Sequence, residues 1–411
     1  MTMGVCVPVE CNAEEIQVFV KGYLKSTLVG SLPPNSSIAI NDCQNAEKIP
    51  FTVRFYIVLA ICLIFILFVF VSTVYLYTKT KFNIESTAYI LANCFCVRRN
   101  TQSLLSTNKN DIQVLHGIRF LSACMIIVFH MWYTMTSLGY SNFIEYDAMY
   151  EKLLFYVYHT EIAVDTFFMM SGLLIMKSLL SSRPGFVNAI KIFIKRYIRF
   201  MFSFFFIVLI LSAFSKHFII GPLVPRLINS DTEICSKNIW LNVLTLSNYM
   251  DTSNMCYPTS WYISSDLHMC IVAIFIFLIY RRMPRFGLIL FSVTAITSLV
   301  LPGLTTYQMH LFPKPRYDIE SLQMYRQAIL TTPTYIWSHL RAAPFFVGVI
   351  FGYIMTKYNP KQYRNTISKT SSQGILAAAF TTFLLIIYIG GYLQHRDFSR
   401  LSAAVFSSLH R

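Results

Sequence analysis

The sequence predicts an all-α protein, a polytopic transmembrane helix bundle with a short cysteine-containing outer N-terminal region. Its 411 residues are 55% hydrophobic and only 13% charged, which is about half the charged fraction of soluble domains. Long apolar runs also recur along the chain, and about eight of them approach the length that crosses a bilayer core. They lie near residues 53–77, 118–138, 160–180, 200–220, 262–280, 286–304, 341–356 and 372–392, of which the seventh is the shortest.

The basic residues indicate how these spans are oriented. A net charge of +15 would suggest nucleic-acid binding in a soluble protein. Here the main groups of Lys and Arg fall in the gaps that follow odd-numbered spans, and such clusters accumulate on the cytosolic side. The sequence therefore predicts a multi-pass protein of the plasma membrane or an endomembrane. Its N-terminus is predicted to be outside or lumenal, and no nucleic-acid partner is expected.

The cysteines and one sequon agree with this orientation. Cys235 and Cys256 share the gap between the fourth and fifth spans, which is predicted to be non-cytosolic, where disulfides persist. We therefore expect them to form a disulfide. Asn35 begins an Asn-Ser-Ser acceptor for N-glycosylation in the predicted outer region. Three further cysteines precede the first span, an odd number that leaves one without a partner in that region.

The composition divides the chain into four regions. Residues 1–50 form a short outer region, 51–78 an anchor span, 79–114 a cytosolic linker and 115–411 the main membrane domain. No signal peptide precedes the outer region, and the sequence stops soon after Ser399 without a closing domain. We therefore expect a piece of a longer protein. No zinc-ligand spacing or nucleotide-binding loop occurs in the sequence, so no metal or bound cofactor is predicted.

Arg119 and His130 are the most informative ionisable residues. Ionisable groups inside a span are costly and commonly functional. Eleven helical steps place the imidazole roughly 16 Å from the arginine along the helix axis, which is about half the hydrocarbon thickness. A histidine at that depth suits a general base. The alternative is a neutral histidine that is hydrogen-bonded to a neighbouring helix.

Two aspartates lie just inside the predicted outer ends of the third and fifth spans. Asp165 and Asp266 could orient and polarise a histidine, as a carboxylate does in a catalytic dyad. The alternative is a helix-end carboxylate in contact with water. Ser171 precedes a glycine in a small-residue pair that favours close helix packing. Trp261 is typical of a membrane interface, whereas His268 is not.

Arginines begin two further spans. Arg196 and Arg199 are three residues apart, so both can face one direction and match the phosphates of an acyl-coenzyme A or a lipid headgroup. The general accumulation of Lys and Arg on the cytosolic side of membrane proteins explains the pair equally well. Arg341 can pair with either aspartate or extend to the membrane surface. It precedes Gly348 and Gly352, a small-residue packing face.

Four ordered motifs resemble those of the acyltransferase-3 family of membrane O-acyltransferases. They are Arg119-x10-His130, the Asp165-x-Phe-Phe-x-x-Ser-Gly172 stretch, Arg196-x-x-Arg199, and Ser260-Trp261-Tyr262 followed by Asp266. The anchor span, the cysteine-bearing N-terminus and His116-Gly117 are similar to the animal nose-resistant-to-fluoxetine subfamily.

The resemblance implies transfer of an acyl group from a donor such as acyl-coenzyme A, as co-substrate, to a hydroxyl acceptor. His130 would be the general base, and Arg119 would position it or the donor. The two arginines of the fourth span would bind donor phosphate, while Asp165 and Asp266 would orient groups in the outer half. The remaining cavity residues are expected to be Ser171, Trp261, His268 and Arg341.

The resemblance also leaves a second function open. The animal subfamily is associated with uptake of lipids and drugs, so a non-catalytic lipid or small-molecule transport protein is the alternative. The chain departs from the family pattern at two positions. Phe129 replaces a glycine before the histidine, and His268 stands where the subfamily usually has glutamine. The family pattern also continues beyond the end of this sequence.

Overall fold

The computed structural model describes residues 11–27, 50–78, 86–106, 112–137, 160–182, 185–218, 224–312, 333–358, 368–395 and 399–410. Within these ranges the chain forms 14 α-helices, four short 3₁₀ segments and no strand, which confirms the all-α class. The helices are α1 (Ala13–Thr27), α2 (Val53–Thr78), α3 (Thr87–Phe95), α4 (Val97–Leu105), α5 (Gln113–Ser137), α6 (Thr160–Ser181), α7 (Phe186–Phe218), α8 (Val224–Val243), α9 (Trp261–Arg282), α10 (Pro284–Gln308), α11 (Pro333–Ile336), α12 (Ala343–Lys357), α13 (Lys369–His395) and α14 (Arg400–Leu409).

Seven described helices are long and apolar enough to cross a membrane, namely α2, α5, α6, α7, α9, α10 and α13. The chain is therefore a multi-pass integral membrane protein. The seventh predicted span corresponds to α12, which has only 15 residues. At 1.5 Å per residue it is about 22 Å long, shorter than the roughly 30 Å hydrocarbon core.

The fourth predicted span begins earlier than expected. We expected an apolar run near residues 200–220, but α7 starts at Phe186 and continues for 33 residues. The basic stretch before residue 200 is helical because Lys and Arg have high helix propensity. Arg196 and Arg199 therefore lie more than two turns inside a continuous helix, and not at its first turn.

The described helices fall into two compact units. One contains residues 48–118 and 205–219, and in it α2 packs against α3 through aromatic rings, with the centroids of Phe68 and Phe95 4.7 Å apart. The other contains residues 119–204 and 220–411 together with the N-terminal segment. The candidate site lies in this second unit, from α6 onward and along the part of α5 that belongs to it.

Close packing between α6 and α12 forms the centre of the second unit. A side-chain carbon at Gly172 would overlap the carbonyl oxygen of Phe345, and one at Gly348 would overlap that of Met169. Gly352 lies similarly against Leu173. The two helices can approach this closely only because these positions lack a side chain, which confirms the predicted small-residue packing face.

Two further contacts fix the ends of this unit. Cys235 of α8 forms a disulfide with Cys256, with α-carbons 4.3 Å apart, so the structure contains the predicted bond. Gly303 of α10 lies against the backbone of α14 at Ala404. Asn35, the predicted glycosylation site, lies outside the described residues.

Candidate active site in the helix bundle

Arg119 and His130 share one face of α5. Eleven residues correspond to three turns and about 20°, so the two side chains are nearly in line. Both are exposed, whereas Ser122 and Phe129 are buried on a face that is rotated by roughly 60–80°. The hydroxyl oxygen of Ser122 lies 2.7 Å from that of Thr166 and connects α5 to α6. The helix therefore packs through one face and presents Arg119 and His130 beside it.

His130 has an aromatic neighbour but no hydrogen-bond partner among the described residues. Its ring centroid lies 5.6 Å from that of Phe129 in an edge-on arrangement. The alternative interpretation, a histidine hydrogen-bonded to a neighbouring helix, is therefore not what the described helices show.

A buried ion pair connects α6, α7 and α9. Asp266 is fully buried, and Arg196 donates to both of its carboxylate oxygens, Nε to Oδ2 and Nη2 to Oδ1, each at 2.7 Å. The hydroxyl of Ser171 donates to Oδ1 at 2.5 Å and also contacts the guanidinium. A two-pronged, charge-assisted pair of this kind is strong and directional. It offsets the cost of burying a carboxylate inside the bundle.

This ion pair separates the two arginines that we expected to act together. Arg196 turns inward to Asp266, and only 18% of its side chain is exposed. Arg199 remains exposed and follows Lys191 and Lys195 at four-residue intervals, and both of these lysines are also exposed. The three form a basic stripe on α7, because residues four apart lie on the same side of a helix. Arg199, and not Arg196, has a guanidinium that is accessible to an anionic group.

Tyr262 is a site residue that sequence reasoning missed. It lies one turn before Asp266, and its ring stacks on Phe168 with centroids 4.6 Å apart. The tyrosine was part of the fourth motif but was given no role of its own, although its four-residue spacing from Asp266 placed both on one face of the helix.

A second buried ionic cluster surrounds Arg341, which has no exposed surface. Its Nε lies 3.2 Å from Oδ1 of Asp165, and its Nη1 lies 3.9 Å from Oε2 of Glu161. Its Nη2 donates to the backbone carbonyl of Glu161 at 3.2 Å. The guanidinium carbon also lies 4.9 Å from the ring centroid of Tyr335 and 5.7 Å from that of Trp261.

This cluster decides alternatives that the sequence left open. Arg341 does not extend to the membrane surface, and its aspartate partner is Asp165. Trp261 is 5% exposed and lies beside the guanidinium. Glu161 was not among the predicted site residues. Its position four residues before Asp165 was the available signal, since that spacing puts both acids on one face of α6.

His268 joins the segment after α8 to α9. Its Nδ1 lies 2.8 Å from the Ser338 hydroxyl, and its Nε2 lies 3.2 Å from the Thr245 hydroxyl. The buried amide of Asn248 donates to the same Ser338 hydroxyl at 2.6 Å and to the backbone carbonyl of Ile336 at 3.1 Å. These bonds fix the segment that also contains the disulfide.

The two predicted aspartates do not converge on His130. Asp165 belongs to the Arg341 cluster and Asp266 to the Arg196 pair, so each carboxylate is balanced by its own guanidinium. Neither is hydrogen-bonded to the histidine among the described residues. In those same ranges, no three His, Cys, Asp or Glu side chains are arranged to hold a metal ion.

The family model of acyltransferase-3, described as an acyltransferase domain, matches residues 112–409. This range begins at α5 and includes every predicted catalytic and donor-binding residue. The chain belongs to the acyltransferase-3 family. Membership of that family supports an acyltransferase-like function for the second unit of the fold.

Two proteins of Caenorhabditis elegans are similar to this acyltransferase-3 chain. "Nose resistant to fluoxetine protein 6" is 25% identical over 337 residues, which cover 75% of this chain and 40% of that protein. "Regulator of hypoxia-inducible factor 1" is 23% identical over 317 residues, which cover 72% of this chain and 61% of that protein. The chain therefore spans less than two thirds of the length of either relative. No solved structure gives a significant match.

Proposed function

We propose that this protein transfers an acyl group from a donor such as acyl-coenzyme A to a hydroxyl acceptor. The observation that supports this best is the exposed stripe of α5 that contains both Arg119 and His130. Ionisable side chains at membrane depth cost free energy unless a polar partner covers them. A bound substrate supplies that partner, and the two residue types match an anionic donor and a reacting hydroxyl.

His130 is the general base in this proposal. Its imidazole takes the proton of the acceptor hydroxyl while that oxygen attacks the thioester carbonyl carbon. The new carbon–oxygen bond forms, the carbon–sulfur bond breaks, and the imidazolium returns its proton to the departing thiolate. Arg119 lies roughly 16 Å away along the helix, and it would bind an anionic group of the elongated donor.

The basic stripe of α7 would bind the donor phosphates. Lys191, Lys195 and Arg199 are all exposed on one side of the helix, and a guanidinium fork suits phosphate oxygens. The pair formed by Arg196 and Asp266 has a positioning role, because it holds α7 against α9. The Arg196–Asp266 ion pair therefore helps to set the position of the basic stripe relative to His130, although neither residue contacts the substrate.

The orientation of the chain is part of the same proposal. The disulfide between Cys235 and Cys256 supports a non-cytosolic position for the segment between α8 and α9, since disulfides persist outside the cytosol. The N-terminal ends of α6, α9 and α12 would then face the lumen or the cell exterior. The N-terminal end of α7, where the basic stripe begins, would face the cytosol, where coenzyme A esters are available.

Replacement of His130 tests the proposal. General-base catalysis contributes roughly 10²- to 10⁴-fold to rate, so His130→Ala should reduce transfer of a labelled acyl chain in membranes by about that factor. His130→Gln keeps a hydrogen-bonding side chain without a basic nitrogen and should be equally inactive. Met131→Ala, an exposed neighbour on the same helix, is the matched control and should retain activity. An active His130→Gln protein would refute the general-base role.

A further inference from the structure

The ring of Phe95, the last residue of α3, packs against the middle of α2. Its centroid lies 4.7 Å from that of Phe68 and 5.8 Å from that of Phe65. From Phe55 onward α2 has no charged residue, and it ends at Thr78, ten and thirteen residues after these two rings. At 1.5 Å per residue the contacts lie roughly 15–20 Å inside that end, which is at least half the thickness of the hydrocarbon core. The end of α3 is therefore at membrane depth.

The side chains of α3 divide into a packed side and an exposed apolar side. Ala92 is 6% exposed, and the small Ser72 of α2 is 3% exposed. Ser72 lies on the same face of α2 as the two phenylalanines, because the three positions fall within about 60° around the helix. On α3, by contrast, Ile90 and Leu91 are 52% and 47% exposed. At this depth such apolar side chains would face the acyl chains of the lipids.

The break between α3 and α4 is covered by polar side chains. Cys96, which separates the two helices, has an extended backbone and is 3% exposed. Such a break leaves amides and carbonyls without partners in their own helix. The amide of Val97 donates to the hydroxyl oxygen of Thr73 on α2 at 3.1 Å, and the side-chain amide of Asn100 donates to the carbonyl oxygen of Cys94 at 3.0 Å. Non-helical backbone is tolerated at membrane depth where the protein satisfies it in this way.

Two arginines follow this break and are both exposed, namely Arg98 and Arg99. The break is bonded to Thr73, five residues before the end of α2, and is therefore roughly 8 Å from that end. Long basic side chains extend over such a distance to the headgroups. Nη1 of Arg99 donates to the hydroxyl of Tyr89 at 3.0 Å. The sequence of α3 and α4 contains no acid, so the phosphates of lipids would supply the negative charge that matches these guanidinium groups.

We propose that α3 and α4, residues 87–105, form a re-entrant pair of helices that enters the cytosolic leaflet beside α2 and returns to the same side. The sequence predicted this region to be part of a cytosolic linker. In the orientation proposed above, the C-terminal end of α2 is cytosolic, so the pair enters from that side. The exposed side of α3 contacts acyl chains, and the arginines at the start of α4 contact lipid phosphates. The re-entrant pair thereby attaches the anchor span to one leaflet.

Fluorescence quenching in vesicles tests this placement. Leu91→Trp adds an indole on the exposed side of α3. The full chain is reconstituted with brominated phosphatidylcholine, and the emission that this indole adds to that of the four native tryptophans is measured by difference. Bromine atoms on the acyl chains should quench the added emission. Aqueous iodide on both sides of the vesicle should leave it nearly unchanged, because the ion does not enter the hydrocarbon. This measurement of depth does not depend on the orientation of the chain.

Two further positions serve as matched controls. Ile64 lies near the middle of α2 and is 66% exposed, so Ile64→Trp should be quenched by brominated lipid to about the same extent as Leu91→Trp. Lys237 is an exposed residue of the polar helix α8, so Lys237→Trp should be quenched by iodide. A Leu91→Trp protein that responds like Lys237→Trp would place α3 in water, and one that neither agent quenches would place it under other protein. Either result would overturn the proposal.

The bond at the break is tested by Thr73→Val in the Leu91→Trp protein. Valine cannot accept the amide hydrogen of Val97, so α3 should be held less firmly in the leaflet. The added emission should become less sensitive to brominated lipid and more sensitive to iodide. Thr78→Val is the matched control, because the Thr78 hydroxyl donates to the carbonyl oxygen of Val74 in its own helix at 2.9 Å. Unchanged quenching in the Thr73→Val protein would overturn the proposed role of that hydroxyl.

Discussion

Arg196 and Arg341 are both held inside the bundle by carboxylates, and this pairing determines what each can do. The Arg196 guanidinium donates two hydrogen bonds to Asp266 and has little capacity left to bind a phosphate. Removing one member of a buried pair leaves the other charge without compensation, which costs more than the pair itself contributes. Arg199, three residues from Arg196 and exposed, has the opposite character: it contributes little to stability and is available to a ligand.

Substitutions at Asp266 and Arg199 should separate these two roles. Asp266→Asn keeps the shape of the side chain but leaves the Arg196 charge uncompensated, so the free energy of unfolding should fall by about 3 kcal/mol. Arg199→Gln removes an exposed charge and should change it by less than about 0.5 kcal/mol, while raising the KM for the acyl donor. Chemical unfolding in micelles and initial-rate kinetics would measure both. A destabilised Arg199→Gln protein with an unchanged KM would contradict the assignment.

At the scale of elements, α6 and α12 act as one packed pair. Lipid tails are as apolar as the helix surfaces, so helix association in a membrane depends on close contact between backbones. Gly172 and Gly348 provide this contact by allowing a carbonyl oxygen of the partner helix to occupy the space of a missing side chain. The short α12 gains its position from α6 and not from its own length. This positions Arg341, just before α12, against the acids at the start of α6.

The contact at Gly348 should tolerate no methyl group. Gly348→Ala would push against the backbone of Met169, and such overpacking typically costs about 1–3 kcal/mol. Gly374→Ala on α13 is the matched control, because a side-chain carbon there meets nothing within 4 Å. It should be neutral or stabilising by up to about 1 kcal/mol, since alanine favours a helix over glycine. Gly348→Ala should therefore lower the temperature of thermal unfolding, whereas Gly374→Ala should leave that temperature unchanged or raise it. Equal shifts would contradict the packing argument.

At the scale of the whole molecule, the orientation of the chain determines which compartment each group can reach. The alternation of basic clusters along the sequence favours a cytosolic basic stripe on α7. The disulfide after α8 favours the opposite side for that segment. The acyl donor would therefore approach the protein from the side opposite to the disulfide-bonded segment.

Engineered glycosylation sites should report this orientation. A sequon placed in the segment between α8 and α9, near Asp251, should acquire a glycan, because Asp251 is exposed and predicted to be lumenal. A sequon placed near Asn100 in α4 should stay unmodified, because that region is predicted to be cytosolic. Mobility shifts that disappear on glycosidase treatment would measure both. A glycan near Asn100 with none near Asp251 would reverse the orientation.

The sequence by itself determined the elements and several local relationships. Apolar runs long enough to cross a bilayer identified the spans, because every transmembrane helix needs an apolar stretch that matches the thickness of the hydrocarbon core. Helical periodicity placed Arg119 and His130 on one face, since the angle between two residues of one helix depends only on their separation. Cys235 and Cys256 were the two cysteines of one predicted outer gap, so their pairing followed from topology.

Only the tertiary structure decided which charges meet. Asp165 and Asp266 both lie near the start of a span, yet one lies against Arg341 and the other against Arg196. Glu161 and His410 come together from distant parts of the chain. A charged side chain that cannot reach water takes its partner from whichever helix packs beside it. Which helix packs beside it depends on contacts such as those of Gly172 and Gly348. These contacts involve the backbone of the partner helix, so the sequence of one helix alone does not reveal them.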